Sequence, residues 1–240
     1  MFPFLLTATP DLPVNMGAIP PARVDFKVIP ATEEDCMTLA QTQAIAYDNA
    51  KKDTPETNIY QRMFGSYSDE VNAFREQGFV NKMQQDPTAH FFKAVTQDTN
   101  GQEKMMGWTL WYYFTEPKIV EHFKIETQWP STANVDCANE FIGESTLVRA
   151  KYMNGKRFGW LQTLCVLPEY CGQGVGSALL RYGFSVGRGL GLKDFWVEAT
   201  RDGHDLYERF GFRDVEATPM ALHKYGGKGT AYIWGMRCTD

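Results

Sequence analysis

Glycines spaced between an apolar run and a helix-forming run are the residues of this chain that most clearly indicate chemistry. The apolar run at 161–167 ends at Pro168, which cannot donate to a strand ladder. Glycines occupy alternate positions over 172–176, and apolar residues recur at helical spacing over 177–188. A strand, a glycine turn and a helix in this order form a cradle of backbone N–H groups at the positive end of the helix dipole. The sequence therefore predicts a site for a pyrophosphate, and hence for a phosphorylated cofactor.

Two nucleotide-binding motifs share part of this pattern and do not complete it. A P-loop requires a lysine after its last glycine, whereas Gly176 is followed directly by Ser177. A Rossmann turn requires a third glycine where Ser177 stands, and its acidic partner would be Glu198, 22 residues beyond Gly176. The third turn of this kind is the one that binds acyl-CoA.

A second motif follows the glycines and favours that third possibility. It reads Leu-Tyr-x-x-x-Gly-Phe over 206–212, and its Tyr207 lies 31 residues after Gly176. Together with the Val-x-Pro and Gly-x-Gly patterns within 166–176, it resembles the signature of the GNAT (general-control-related N-acetyltransferase) superfamily. The separation leaves room for a helix, a strand and a short loop, and the sequence looks most similar to fungal members of unassigned substrate.

The resemblance implies a fold that the periodicities also indicate. We expect an α/β fold with a GNAT-like mixed, mostly antiparallel six- to seven-stranded sheet flanked by helices, and a helical insertion before the fourth strand. The domain would span 24–240, with the insertion at 115–158, after a proline-rich N-terminal arm at 1–23. The patterns predict strands at 26–29, 90–96, 105–114, 159–167, 193–199, 213–217 and 231–238, and helices at 33–47, 68–86, 135–153, 177–188 and 204–210.

The resemblance also implies acetyl-CoA as the cosubstrate, bound by the end of a strand, the glycine turn and the start of the next helix. The predicted cofactor-binding residues are Leu164, Cys165, Val166, Cys171, Gly172, Gln173, Gly174, Val175, Gly176, Ser177 and Thr200. Two of them depart from the family pattern. Cys171 stands where an arginine or glutamine is usual, and Thr200 stands where many members have an asparagine near the pantetheine.

The implied reaction is direct transfer of an acetyl group to a primary amine, and the expected acceptor is a small molecule. Tyr207 is the predicted general acid at the sulfur, and backbone N–H groups near 164–166 would bind the oxyanion. Glu198 is the candidate general base, because Trp160 occupies the position where some relatives carry a glutamate. Asp202 or a water relay are the alternatives. A peptide acceptor, or a non-catalytic acyl-CoA-binding module, are the alternative functions.

Two further hypotheses concern single groups of side chains. Cys171, beside a helix N-terminus, is expected to have a lowered thiol pKa. Six aromatic residues could line an apolar acceptor pocket or simply form the core. They are Trp111, Tyr112, Tyr113, Phe114, Trp129 and Trp160.

The composition argues against several other classes of protein. The net charge is −5, with no basic cluster longer than two residues, so nucleic acid is not an expected partner. No apolar run approaches the ~20 residues of a membrane span. The five cysteines lack CxxC spacing, which argues against a disulfide framework and favours a reducing, cytoplasmic location. The four histidines show no HExxH spacing, so we expect no metal. A homodimer is possible.

Overall fold

One seven-stranded sheet organises the part of the chain that the computed structural model describes, residues 25–54, 56–65, 67–121 and 129–240. Its strands are β1 (Lys27–Pro30), β2 (Ala89–Gln97), β3 (Glu103–Lys118), β4 (Lys156–Val166), β5 (Asp194–Ala199), β6 (Arg213–Ala221) and β7 (Thr230–Thr239). The helices are α1 (Cys36–Asp48), α2 (Ile59–Phe64), α3 (Asp69–Gln85), α4 (Val135–Met153), α5 (Val175–Gly189) and α6 (Arg201–Arg209).

The sheet is mixed and mostly antiparallel. Its strand order is β1-β2-β3-β4-β5-β7-β6, and the neighbours are antiparallel except for β4 and β5, which are parallel. A parallel pair needs a crossover, and α5 supplies it. Helix α4 lies directly before β4. The predicted fold class, including the helix inserted before the fourth strand, is therefore confirmed.

The parallel pair separates soon after it forms. β4 and β5 pair only from Gly159 with Phe195 to Leu161 with Val197. β4 remains paired with β3 as far as Val166, but it carries a β-bulge at Gln162. The bulge re-aims the strand, so the backbone of β4 beyond Leu161 faces open space instead of a neighbouring strand.

Helices cover both faces of this sheet. On one face α5 packs directly on Trp111 of β3. Only a glycine fits at Gly183, since a Cβ there would lie 2.1 Å from the Trp111 Nε1. On the other face the buried Trp108 of β3 contacts α1 and donates from its indole N–H to the Leu39 carbonyl at 2.9 Å. Phe79 of α3 packs edge-on against the same indole. Two buried layers of side chains thus hold β3 and β4 in place beside the point where β4 and β5 separate.

Most of the predicted elements are present, and their ends differ. A 3-10 turn, Glu33–Asp35, precedes α1, and the Thr32 amide donates to the Asp35 carboxylate at 2.8 Å. β3 runs beyond the predicted 105–114, and β6 runs to Ala221. The helix α2 was not predicted, although Asn58 caps it by accepting from the Tyr60 amide at 2.9 Å. The arm predicted at 1–23 lies outside the described residues, as do residues 122–128 of the predicted insertion.

Among the described helices, none is both long enough and apolar enough to cross a bilayer.

Candidate active site

A cavity of about 480 Å³ opens where β4 and β5 separate. β4 and the glycine turn form one wall, β5 and α6 form the opposite wall, and the loop at 49–54 with α2 forms a third. We call residues 49–54 the clamp loop. The predicted site residues that border this cavity are Leu164, Cys165, Val166, Cys171, Gly172, Gly174, Val175, Gly176, Ser177, Glu198, Thr200 and Tyr207. The structure thus brings together every predicted site residue except Gln173.

The glycine turn presents backbone to the cavity. Gly172 has a φ of 81° and Gly174 a φ of 89°, a region that L side chains rarely adopt. A Cβ at either position would meet nothing within 4 Å, so the space in front of both residues is open. Gly176, in contrast, packs closely, since its Cβ would lie 3.2 Å from the Leu206 Cδ2. An anion can therefore approach the turn at Gly172 and Gly174, while Gly176 brings α5 against α6.

Helix α5 adds amide groups to this open space. Its first backward hydrogen bond runs from the Ala178 amide to the Gly174 carbonyl at 2.9 Å. The preceding amides, those of Val175, Gly176 and Ser177, therefore have no partner within the helix. They lie at the positive end of the helix dipole, and all three residues border the cavity. This arrangement suits a phosphate group.

Two side chains of the turn lie against nearby backbone carbonyls. Burial raises the pKa of the Cys171 thiol, whose Sγ lies 3.6 Å from the Leu167 carbonyl oxygen. The predicted lowering of this pKa is therefore wrong, because desolvation outweighs the nearby positive groups. The Gln173 side chain donates to the Glu169 carbonyl at 2.7 Å, which turns it away from the cavity.

Tyr207 reaches the cavity from α6. The ring is only 6% exposed, and it packs edge-on against Phe212. Gly203, one turn earlier, makes room for it, since a Cβ there would lie 2.7 Å from the ring. Burial raises the pKa of the Tyr207 phenol well above its ordinary value, so this group stays protonated at neutral pH. Thr200 precedes α6, and its side chain makes no capping hydrogen bond with the helix it begins.

Glu198 borders the cavity but is held by three donors. Its Oε1 accepts from Arg149 at 2.5 Å and from the Trp196 indole at 2.7 Å, and its Oε2 accepts from the Trp160 indole at 2.7 Å. Arg149 also stacks on Trp160, with its guanidinium 3.6 Å from the ring centroid. The side chains of the ion pair are each 9% exposed. These three hydrogen bonds hold the Glu198 carboxylate in a fixed position.

The clamp loop is fixed to α6 by a second carboxylate. Asp202 accepts from the backbone amides of Lys51 at 2.7 Å and Lys52 at 2.8 Å. The Lys52 ammonium bonds Asp205 at 2.8 Å and the Arg201 carbonyl at 3.1 Å. These contacts close one side of the cavity. They also occupy Asp202, the alternative base considered from the sequence.

A third carboxylate of the cavity, Asp53, was missed by the sequence analysis. Its Oδ1 accepts a hydrogen bond of 3.3 Å from the Thr57 hydroxyl. Burial raises the pKa of the Asp53 carboxyl, and the nearby Asp202 raises it further. Asp53 thus has fewer hydrogen-bond donors than Glu198 or Asp202 among the described residues. No local pattern marks it in the sequence.

Tyr47 and Tyr60 form an aromatic wall of the cavity, and none of the six aromatics proposed from the sequence borders it. The two rings stack with centroids 3.9 Å apart, and burial raises the pKa of Tyr60 to about 12. Of the six, Trp111 and Tyr113 belong to the core beneath α5.

Three others, Tyr112, Phe114 and Trp160, border a separate cavity of about 550 Å³. The bonds of Glu198 with Arg149 and Trp160 lie between the two cavities. Trp129 packs against Phe64 and Phe74, away from both.

One group of side chains on α6 has donor atoms close enough to share a cation. Atoms of His204, Asp205 and Glu208 lie within 4.8 Å of one another. The His204 Nε2 is 2.8 Å from Asp214, and Asp205 is already paired with Lys52. The expectation of no metal stays a prediction.

One protein-family model matches part of the chain. Residues 132–214 match the family model described as an acetyltransferase (GNAT) domain. That range contains α4, the glycine turn and Tyr207. None of the curated proteins matches the chain.

Solved structures share the fold at low sequence identity. A mosquito arylalkylamine N-acetyltransferase like 5b aligns with a TM-score of 0.59 and 17% identity, covering 90% of this chain and 100% of that one. A histone acetyltransferase HPA2 and related acetyltransferase from Corynebacterium glutamicum aligns with 0.51 and 18%, covering 90% and 97%. A paia N-acetyltransferase from Thermoplasma acidophilum, in complex with coenzyme A, aligns with 0.50 and 14%, covering 90% and 100%. At these identities the likeness concerns the fold.

Proposed function

We propose that this chain is an acyl-CoA-dependent N-acetyltransferase of the GNAT superfamily, which uses acetyl-CoA to acetylate a primary amine of a small molecule. The observation that carries the proposal is the content of one cavity. A backbone cradle borders it on one side, and Asp53, a carboxylate of raised pKa with a single 3.3 Å hydroxyl donor, borders it on another. Such a cavity can hold a phosphorylated acyl donor and an ammonium group together.

The donor side fits the diphosphate and the pantetheine of acetyl-CoA. We assign the pyrophosphate to the amides of Val175, Gly176 and Ser177, which follow the open space at the left-handed Gly172 and Gly174. The β4 backbone at 164–166 lacks β5 as a neighbour and is free to pair with pantetheine amides as an added strand would. When bound, the cosubstrate supplies an acetyl thioester, whose transfer to nitrogen releases a thiolate.

Tyr207 is the proposed general acid. Its phenol borders the cavity, and its raised pKa keeps the proton on the oxygen at neutral pH. It can therefore give that proton to a thiolate, whose conjugate thiol has a pKa of about 8.5 in water. Amides of β4 near Leu164 and Val166 are the proposed donors to the oxyanion.

Asp53 is the proposed acceptor of the amine's proton. An alkylammonium must lose one proton before its nitrogen can attack, and the carboxylate of Asp53 takes it. The second nitrogen proton leaves to solvent after the amide bond forms. Glu198 is the base that the sequence suggested. We propose that it is instead a positioning residue, which holds Trp160 and Arg149 in place.

The position of the clamp loop beside the cavity favours a small acceptor. The clamp loop is held on α6 by Asp202, and Tyr47 and Tyr60 stack beside it. A peptide acceptor is the alternative. A reducing, cytoplasmic location is proposed on the basis of the five free thiols. A homodimer stays a prediction.

The test is thiol release from acetyl-CoA with a panel of small primary amines and of peptides, for the wild type and for Asp53→Asn. We expect turnover with small amines and a loss of kcat/KM of about 100-fold or more in Asp53→Asn. The base must be deprotonated, and its folded pKa is raised. As the pH is lowered, wild-type kcat/KM should therefore begin to fall at a pH above about 3.9, which is the ordinary pKa of an aspartate.

Glu34→Gln is the matched control, because Glu34 is an exposed carboxylate before α1. It should keep both the rate and the pH profile. Turnover of peptides alone would contradict the small-molecule acceptor. An unchanged acid limb in Asp53→Asn would contradict the role of Asp53.

A further inference from the structure

The glycine turn meets its anion without a charged side chain of its own. Residues 171–177 read Cys-Gly-Gln-Gly-Val-Gly-Ser. The helix dipole offers about half a positive charge, whereas a pyrophosphate diester carries two negative charges. Turns of this kind usually begin with an arginine or a glutamine, and this one begins with Cys171, whose thiol is neutral because burial raises its pKa. The remaining charge must come from another element.

Three cations border the cavity within the described residues: Lys51, Lys52 and Arg209. Lys52 is already bonded to Asp205 and to the Arg201 carbonyl. Arg209 lies at the exposed end of α6, beyond Tyr207. Lys51 remains, and its backbone is fixed by the 2.7 Å hydrogen bond to Asp202.

Lys51 lies close to the first residue of the turn. Burial is the main influence on the Cys171 thiol and raises its pKa, and the ammonium of Lys51 acts in the opposite direction. Such an effect requires the two groups to be near each other, and both border the same cavity. The Lys51 side chain is exposed, so its ammonium is accessible to a ligand in that cavity.

We propose that Lys51, on the clamp loop, supplies the cation that binds the pyrophosphate of acetyl-CoA, in place of the charged or polar side chain missing at Cys171. The inference rests on the proposed donor site. The clamp loop would then have two tasks, because Lys51 would bind the donor and Asp53 would face the amine. The donor would then help to hold the clamp loop closed before the amine reacts.

The test compares Lys51→Gln with Lys193→Gln, an exposed lysine outside the cavity. We expect the Kd of CoA and the KM of acetyl-CoA to rise about tenfold in Lys51→Gln, with kcat nearly unchanged. Lys193→Gln should change neither. The difference should shrink at 1 M salt, where charges are screened beyond ~3 Å. Acetyl-pantetheine, which lacks the pyrophosphate, should show the same KM with the wild type and with Lys51→Gln.

A second variant keeps the test decisive. Cys171→Arg introduced into Lys51→Gln should restore most of the CoA affinity, because the charge returns to the start of the turn. Unchanged CoA binding in Lys51→Gln would overturn the proposal, as would an equal loss for acetyl-pantetheine. Weaker binding in Arg209→Gln alone would assign the cation to α6 instead. CoA binding is measured without an amine, so failure of every amine to react would count against the proposed function and leave this result intact.

Discussion

The two sides of the cavity are built in different ways. Apart from the proposed contact of Lys51, the donor side comes from one contiguous stretch, β4, the glycine turn and α5, and it acts through backbone N–H groups. The acceptor side is assembled from the clamp loop, β5 and α6, and it acts through carboxylates and rings. Asp202 joins parts of the acceptor side that are 150 and 151 residues apart in the sequence.

This difference determines how each side should respond to substitution. Backbone amides survive a change of side chain as long as the backbone conformation is kept. Carboxylates whose partners come from distant elements do not, because one substitution leaves a buried or fixed group without its partner. We therefore expect larger losses on the acceptor side, and the four predictions below run from the largest effect to the smallest.

Glu198→Gln should cost the most, and the cost should appear as stability. It would leave Arg149, which is 7% exposed, without a counter-charge, and breaking a buried pair typically costs about 3–5 kcal/mol. Chemical denaturation of the variant measures the loss. If Glu198 positions its neighbours, the pH profile of the folded variant should match the wild type. If the variant lost the acid limb of the kcat/KM profile and kept its free energy of unfolding, Glu198 would be the base.

Tyr207→Phe should lower kcat by about 100-fold, since a positioned proton donor contributes typically 10²–10⁴-fold. The Kd of CoA, measured by calorimetry, should change little, because the ring and its contact with Phe212 remain. Tyr60→Phe serves as a comparison, because Tyr60 borders the same cavity and we assign it no proton transfer. Equal kcat values for Tyr207→Phe and the wild type would contradict the general-acid role.

Asp202→Asn should raise the KM of the amine about tenfold by loosening the clamp loop. An amide oxygen can keep one of the two backbone donors and loses the charge that strengthens both bonds. Asp205→Asn weakens the exposed ion pairs of Asp205 with Lys52 and His204, and exposed pairs contribute little. Its KM should therefore change less. Limited proteolysis at the clamp loop is the second measurement, and equal cleavage of both variants would argue against the special role of Asp202.

Gly174→Ala should have the smallest effect of the four, a rise of up to tenfold in the KM of acetyl-CoA. The new methyl group has open space, but a φ of 89° costs an L residue roughly 1–2 kcal/mol. Gly189→Ala adds a methyl group in α5 where nothing lies within 4 Å, and it should be neutral. A loss greater than that of Asp202→Asn would reverse the order that we expect for the two sides.

The same contrast explains what the sequence could predict. The glycine turn, Tyr207 and nearly all the predicted donor-side residues border the cavity, because short motifs determine local structure. Gln173 does not, since its side chain found a partner at Glu169. Helix α2 could have been found from the capping Asn58. Asp53 and Lys51 could not, because their positions depend on a loop that is fixed to a helix far along the chain.

Because β4 separates from β5, a central strand of the sheet has backbone amides without a partner strand, as edge strands do. Beyond Leu161, β4 has β3 on one side and the cavity on the other. In an antiparallel pair alternate amides point away from the partner strand, so half of those over 163–166 face the cavity. They should exchange with solvent deuterium as rapidly as an edge strand when the protein is empty, and slowly once the donor lies beside them. The rate of exchange at the middle strand would then report directly on whether the enzyme is loaded.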